Sequence, residues 1–453
     1  VGAAGLAAPA AFKPFVASEA VLPALLQGLR YNAGLMVGIL YTALMSFAAP
    51  FVAVYLLLRP KYRPLLGRFW PDIPLPPAGQ RRRPLWLHAC SVGEVNIARP
   101  IIKAIKNRWP DLPVLLTVST ISGRNLARDI LPQIPLTWLP FDHPACVKPF
   151  RRKLDPLALV LLDTELWPCL INSLRLAGVP VILANGRISD KHFPRYMRAA
   201  PLLRPVVSEI SAAAMQNQEY ASRIVDLGAR PECVCVCGST KFDGVRDSID
   251  PEKVAALRAE CGFGPADPVI VFGSTRPGDE ALAAACWASL RDAFPDLRLV
   301  IAPRHLDRLE EATAPFSEPI KRRSRAGVNS GARIFFLDTV GELVDFYALG
   351  TIAVIGGSFS PGVNGHNPLE SAALGVPTVF GPYMRNFIDP ARELVAHKGA
   401  VQTNPGELNE VLRRLLENPQ DRAALAQNGR EAVRKNRGAI QRTLDLIEPF
   451  LDV

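Results

Sequence analysis

The sequence predicts an α/β protein: two doubly wound, Rossmann-like domains facing a central cleft, with one apolar helix ahead of them. Three observations predict it. Residues 33–58 carry no charge, apolar β-branched runs alternate with helical stretches from residue 84, and that alternation stops at 244–267 and restarts at 268. Near-continuous apolar strands separated by helices make parallel sheets covered on both faces. With 453 residues the chain has room for two or three domains, and a hydrophobic share of 49% against 21% charged excludes an intrinsically disordered chain.

The apolar segment comes first. Its 26 residues would span about 39 Å as a helix, longer than a hydrocarbon core of about 30 Å, with Pro50 expected to kink it. Arg59, Lys61, Arg63 and Arg68 follow, then Arg81, Arg82 and Arg83. Cations on that flank favour keeping it cytoplasmic. The expected arrangement is a membrane-anchor helix over 33–58, spanning or monotopic, which holds the remainder at the cytoplasmic face of an inner (plasma) membrane. A helix packed into the first domain's core is the competing reading. A cleaved signal peptide fits less well, because residues 1–32 have no concentrated basic region.

Strands are expected at 84–91, 114–120, 136–140, 157–164, 179–186, 212–218 and 233–239, within a first domain over 59–243. A second domain over 244–453 begins with a linker and one helix. It continues with strands at 268–274, 297–303, 333–337, 352–356 and 377–380 and ends in two or three helices over 406–453. In such sheets ligands bind at the carboxyl ends of strands.

The net charge of +10 suits an acidic substrate or an anionic membrane, and no zinc-finger, RNP or zipper pattern accompanies it to argue for nucleic acid. The eight cysteines form no C-x-x-C pair. Cys233, Cys235 and Cys237 alternate and are expected to share one buried strand face as small apolar groups; no metal site is expected. The chain has no G-x-x-x-x-G-K-[ST], H-E-x-x-H, G-x-S-x-G or strand-linked G-x-G-x-x-G. Their absence disfavours P-loop hydrolysis, zinc proteolysis, α/β-hydrolase chemistry and a standard nicotinamide dehydrogenase.

The strand-to-helix turns hold the candidate chemistry. After the first strand, Gly93 permits a tight turn and Glu94 opens a helix, either as a general base or as a carboxylate complementing the helix dipole. After the fourth, Asp163 and Glu165 precede Trp167-Pro168. Two acids there need partners, and Arg187 is a candidate. In the second half Arg304 follows Pro303 at a strand end, where an Arg fork suits a phosphate. Val340-Gly341-Glu342 opens a helix, and the glycines 356, 357, 362 and 365 precede Asn367-Pro368-Leu369-Glu370. Backbone N–H groups at such turns suit an anion, and Glu370 suits a ribose diol.

These stretches resemble the Kdo (3-deoxy-D-manno-octulosonic acid) transferases, inverting GT-B glycosyltransferases that use CMP-Kdo. The resemblance runs from about Met36 to the carboxyl end. It is carried by LWLHACSVGEV at 85–95, LPFDHP at 139–144, DTELWPCLI at 163–171 and VPVILANGRIS at 179–189. In the second half it is carried by KFD at 241–243, APRH at 302–305, VGEL at 340–343, GGSF at 356–359 and GHNPLESAALGVPTVFGP at 365–382. The resemblance implies Glu94 as catalytic base, Asp163 and Lys241 in supporting roles, and CMP contacts from Pro303 and Arg304, from Val340, Gly341 and Glu342, and from Asn367, Pro368, Leu369 and Glu370. It implies transfer to a lipid A precursor of the lipid IV-A type, at a membrane surface, without metal or other cofactor. Asp163 replaces the family's usual Glu, Gly186 a common Ala, Ser239-Thr240 an Asn-Leu pair and Arg276-Pro277 a His-Glu pair. The alternatives are a GT-B enzyme using another nucleotide sugar and a non-catalytic, membrane-tethered glycolipid binder. The intact Glu94 argues against the second, since a binder needs no base.

Overall fold

The computed structural model describes residues 21–74, 82–325 and 331–451, with side chains from Gly38 onward. Arg81, expected in the basic flank, lies outside the described residues, as do residues 1–20. The chain divides into two compact units, the first running to Cys237 and taken up again from Arg442, the second from Gly238 to Gln441.

The first unit holds strands β1 (Leu85–His88), β2 (Val114–Val118), β3 (Leu136–Trp138), β4 (Ala158–Leu162), β5 (Val181–Gly186), β6 (Ala212–Met215) and β7 (Val234–Val236). They lie in the order β3-β2-β1-β4-β5-β6-β7, every neighbour parallel. The second holds β8 (Val269–Thr275), β9 (Arg298–Pro303), β10 (Ile320–Arg322), β11 (Ile334–Phe336), β12 (Ile352–Ile355), β13 (Thr378–Phe380) and β14 (Ala400–Gln402), ordered β10-β11-β9-β8-β12-β13-β14 and again parallel. Strand order reverses between β1 and β4 in one sheet and between β8 and β12 in the other. Connections leave in opposite directions there, which opens a crevice at the strand ends.

All twelve expected strands are present. The two that were not expected, β10 and β14, are three-residue edge strands with partly exposed side chains, so neither writes an apolar run into the sequence. The three alternating cysteines do not share a buried face. Cys233 ends a 3-10 turn, Cys235 is exposed on the edge strand β7, and only Cys237 is buried. An edge strand lacks the second neighbour that would cover it.

Strand side chains of the second unit alternate between two cores. Val271, Val300, Ala353 and Ile355 face one, while Ile270, Phe272, Leu299, Ile301 and Val354 face the other. The first unit is completed by the last residues of the chain. Arg108 Nη1 lies 2.5 Å from Asp445 and its Nη2 lies 2.6 Å from Glu448, while Arg442 Nε donates to the Cys237 carbonyl at 2.8 Å.

The apolar helix runs from Val21 to Leu58 without a break at Pro50. It lies beside the helices Pro168–Arg175 and Ala200–Val207 of its own unit. Tyr41, Thr42, Met45, Ala48, Ala49, Val52, Ala53 and Leu56, at helical spacing, form its half-buried face. Ile39, Leu40, Leu44, Phe47, Phe51, Val54 and Leu58 are exposed, Phe47 to 70%. A helix inside the core would not leave these side chains outside, so the core-helix reading fails. Gly38–Leu58 is long and apolar enough to cross a membrane.

Gly356, after β12, marks a close backbone approach. A Cβ there would stand 2.5 Å from the Ser274 carbonyl oxygen and 2.7 Å from Thr275 Cα. Backbone cannot step aside as a side-chain tip can. Gly356→Ala is expected to cost about 1–3 kcal/mol and to lower the melting temperature by about 2–4 °C per kcal/mol, read by thermal melt.

Candidate active site

In the first unit the charged groups gather at the β1/β4 reversal. The chain leaves β1 at His88 and enters the helix Val92–Arg108 through an extended Ser91 (φ −129°, ψ 177°). Glu94, in the first turn, folds back to accept the Cys90 backbone N–H and, at 3.2 Å, the Ser91 hydroxyl. This is close to a capping box, so Glu94 does cap its helix. Burial also pushes its carboxyl up to about 7, and the carboxylates of Glu165 and then Asp163 push in the same direction.

Asp163 follows β4 with φ 56°, and its Oδ1 accepts the Asn185 side-chain amide at 2.7 Å; Asn185, in β5, is itself left-handed at φ 58°. Asn and Asp tolerate this region best, yet strained non-glycine backbone persists only where surroundings enforce it. Here they do: Thr164 Oγ1 donates to the Arg187 carbonyl at 2.7 Å and accepts the Arg187 N–H at 3.1 Å, tying the two turns together. Arg187, expected as partner of the acids, is tied to the Asp163 turn through its backbone, and Asn185 donates a hydrogen bond to Asp163. Burial pushes Glu165 up to about 7, with Asp163 adding to the rise and Arg68 opposing it. Glu94 and Glu165 therefore titrate as a pair.

Arg68 corrects the sequence reading. It was expected among cations facing lipid headgroups. Instead its Nε donates to the Leu139 carbonyl at 3.1 Å, and its guanidinium lies 5.5 Å from the Trp167 ring centre. Burial lowers its pKa, while its electrostatic coupling to Cys90, Asp142 and Glu165 acts to raise it. The helix Pro168–Arg175 starts next to it, with Asp142 accepting the N–H groups of Leu170 at 2.8 Å and Cys169 at 3.2 Å. The apolar helix docks at the same place. Its Tyr41 hydrogen-bonds Asp142, and Ser46 Oγ lies 2.9 Å from His143 Nε2.

In the second unit the β8/β12 reversal brings together cations and carboxyl groups, with Asp279 Oδ2 accepting the N–H groups of Gly357 at 2.6 Å and Arg276 at 2.8 Å. Pro303 closes β9, and Arg304 follows it exposed, its N–H on the Thr275 carbonyl at 3.0 Å. Val340 is 84% exposed, and Gly341 takes φ 94°. Glu342 is held by Arg323, with Nη2 to Oε1 at 2.9 Å, and by Thr339; the Arg323 bonds, first, hold its carboxyl below the usual range. Asn367 Oδ1 accepts the Leu369 N–H at 3.1 Å, and its amide donates to Glu370 at 3.2 Å. Burial raises the Glu370 carboxyl, with Asn367, Arg246 and Arg304 opposing. His366 is pushed down to about 4 by burial and by Arg304, Arg276 and His305.

Lys241 also belongs to this unit. Its Nζ donates to the Asn386 carbonyl at 3.0 Å and lies 4.8 Å from the Phe387 ring centre. Asn386 in turn bonds the Asn364 carbonyl, so Lys241 braces the glycine-rich segment before Asn367. The structure therefore places Glu94 with Asp163, and Lys241 with the 364–370 segment. Sequence reasoning named Glu165 as an acid in need of a partner but gave it no role, and it left out Asn185 and Arg68 in the first unit and Arg323, Arg246 and His366 in the second. Glu165 was visible in the D-T-E run; Arg68 was hidden among other cations.

Residues 67–244 match the family described as 3-deoxy-D-manno-octulosonic-acid transferase (kdotransferase). The 3-deoxy-D-manno-octulosonic acid transferase of Bordetella pertussis is 33% identical over 386 residues, 81% of this chain and 87% of that protein. That of Haemophilus influenzae is 29% identical over 426 residues, 91% of this chain and 98% of that one. A glycosyltransferase structure from Rickettsia africae is similar with a TM-score of 0.56 at 9% identity, covering 82% of this chain and 100% of that one. A UDP-N-acetylglucosamine 2-epimerase structure is similar with a TM-score of 0.53 at 14% identity, covering 82% and 98%. At such identity the likeness is one of fold, and the fold is GT-B.

The carboxylate pair gives a direct test. In carboxyl-labelled protein followed by NMR, Glu94 and Glu165 are expected to titrate near pH 7, far above exposed glutamates. Glu165→Gln removes the largest neighbouring charge on Glu94, so the Glu94 midpoint moves to lower pH.

Proposed function

Because the chain belongs to the Kdo transferase family and is a glycosyltransferase, we propose that it moves Kdo from CMP-Kdo to a hydroxyl of a lipid A precursor, of the lipid IV-A type, with inversion. The observation that carries this is Glu94, a carboxyl at the β1/β4 reversal whose burial and carboxylate neighbours bring it to about 7. A base with that value is about half ionised at neutral pH and holds a proton well, the compromise that general-base catalysis needs.

The acceptor oxygen attacks the anomeric carbon of Kdo as Glu94 takes its proton. The bond from that carbon to the phosphate oxygen breaks, and CMP leaves with the electron pair. Arg304 neutralises the phosphate, with Gly341 and the 340–342 turn offering backbone to the nucleotide. Glu370, held by Asn367, receives the ribose hydroxyls. Lys241 keeps the segment leading to Asn367 in place. Asp163 and Glu165 keep Glu94 basic, and Arg68 prevents the three acids from all becoming protonated. No step is assigned to a metal ion or another cofactor. The apolar helix holds the first unit on the cytoplasmic face of the inner membrane, where lipid acceptors lie. Its large exposed side chains support contact with lipid.

Three outcomes are expected. Glu94→Gln should lower turnover by about 10²-fold or more and leave CMP affinity within about twofold, measured by single-turnover kinetics and calorimetry. Turnover above about a tenth of the original would remove the base role. The rate should fall with decreasing pH below about 7, as the base is protonated. Arg304→Ala and Glu370→Ala should each weaken CMP binding about 10- to 150-fold, the equivalent of one charge-assisted hydrogen bond at about 1.5–3 kcal/mol. Phe47→Glu with Phe51→Glu should release the protein from membranes on flotation without moving its melting temperature, because both rings point away from the protein.

A further inference from the structure

The β1/β4 reversal contains a second constellation, of which the transfer reaction as proposed uses only Glu165. His88 at the end of β1, Cys90 two residues on and Glu165 after β4 each offer one ligand atom, and these atoms lie within 4.8 Å of one another. β1 and β4 are hydrogen-bonded neighbours, so the sheet fixes two of the three attachment points.

His88 is fully buried and presents its Nε2 to this cluster with a lone pair. Its Nδ1 lies 3.0 Å from the Thr117 carbonyl oxygen and 3.1 Å from Thr117 Oγ1. Thr117 Oγ1 receives the Trp86 indole N–H at 2.8 Å and gives its own proton to the Leu87 carbonyl, so it has none for the imidazole. The carbonyl can only accept. Nδ1 therefore carries the hydrogen and Nε2 does not, and the Ser119 hydroxyl lies 3.5 Å from Nε2. An imidazole anchored through Nδ1–H to a carbonyl, with Nε2 bare, is how metal-ligating histidines are usually held. Burial keeps the ring neutral, as a ligand must be.

We propose that His88 Nε2, Cys90 Sγ and a Glu165 oxygen form a site for one thiophilic divalent cation, of which Zn²⁺ is the type, and that the bound ion inhibits transfer. One nitrogen, one sulfur and one carboxylate oxygen form a mixed set suited to zinc, with a fourth position left for water. Tetrahedral zinc with bonds of about 2.0–2.3 Å needs ligand atoms about 3.3–3.8 Å apart. Closing from 4.8 Å asks about 1 Å of movement, available from the Glu165 and Cys90 torsions without moving the sheet. On binding, the Cys90 thiol loses its proton to solvent and a sulfur–metal bond forms; no electron changes hands. The ion takes Glu165 from the carboxylate group around Glu94 and occupies the turn between β1 and β4 where Glu94 stands, since Glu94 accepts the Cys90 N–H. Arg68, near both Cys90 and Glu165, repels the ion and keeps the site reversible.

The probe is Co²⁺ added to the metal-free full-length protein, with absorption read in the visible and near ultraviolet. One equivalent is expected to give the bands of a four-coordinate ion and a thiolate-to-cobalt charge-transfer band, both abolished by Zn²⁺. Cys90→Ala should lose the charge-transfer band and bind at least about tenfold more weakly, and Glu165→Gln should keep the band with weaker binding. A thermal melt of each variant verifies that it folds. No charge-transfer band in the unaltered protein, or the same band in Cys90→Ala, overturns the site. The inhibition rests on the transferase reading and is measured separately. Zn²⁺ should slow transfer, EDTA should restore it, and the midpoint, taken against each protein's own metal-free rate, should rise at least about tenfold in Cys90→Ala. An unchanged midpoint overturns the inhibitory role even where cobalt binds, and failure of the transfer assay itself leaves the cobalt result standing.

Discussion

Charge withdrawn from water has to be balanced nearby, and at the end of β1 and β4 three carboxyl groups are withdrawn together, with the Arg68 guanidinium set against them. Most of what surrounds them follows from that imbalance. Glu94 and Glu165 cannot both stay ionised at ordinary carboxylate values, so their pKa values rise to about 7. Asp163 is fixed by the Asn185 amide, at the expense of left-handed backbone at both positions. Arg68 is drawn out of the basic flank and against Trp167. Burying such a group without these partners would cost several kcal/mol, so the sequence from 163 to 167 and the turn at 185–187 stand or fall as one arrangement.

The second unit solves the opposite problem. Arg276, Arg304, His305 and His366 crowd the β8/β12 reversal, and their mutual repulsion with burial keeps His366 neutral. A cluster of cations of this kind suits an anion, whereas the first unit's turn, rich in carboxyl groups, suits a proton acceptor, so the proposed division between binding a phosphate and removing a proton rests on the local charge of each unit.

Much of this was legible in the residues. Apolar β-branched runs located twelve strands because both faces of a parallel strand are buried, and Gly, Pro and acidic residues marked the turns after them. What failed to show has physical causes. β10 and β14 are three-residue edge strands, too short to write an apolar run. Arg68 looks like its neighbours Arg59, Lys61 and Arg63, and only the 3-10 turn that carries it inward sets it apart. The cysteine alternation misled because β7 has one neighbour only, and alternation reports a buried face only when something covers that face. His88, Cys90 and Glu165 are separated by 75 residues at their closest cross-strand link, from 90 to 165, a distance that no local spacing rule spans.

The first unit is finished by the last residues of the chain, through Arg442 at the Cys237 carbonyl and Asp445 and Glu448 at Arg108. Synthesis runs from the amino end, and domains fold as they emerge. A ribosome making this protein delivers the whole sheet of the first unit, then all of the second, before the segment that closes the first is released. The earlier unit must therefore wait for Asp445 and Glu448 to reach Arg108 while the later one folds, and the order of assembly is fixed by chain topology rather than by the stability of either part.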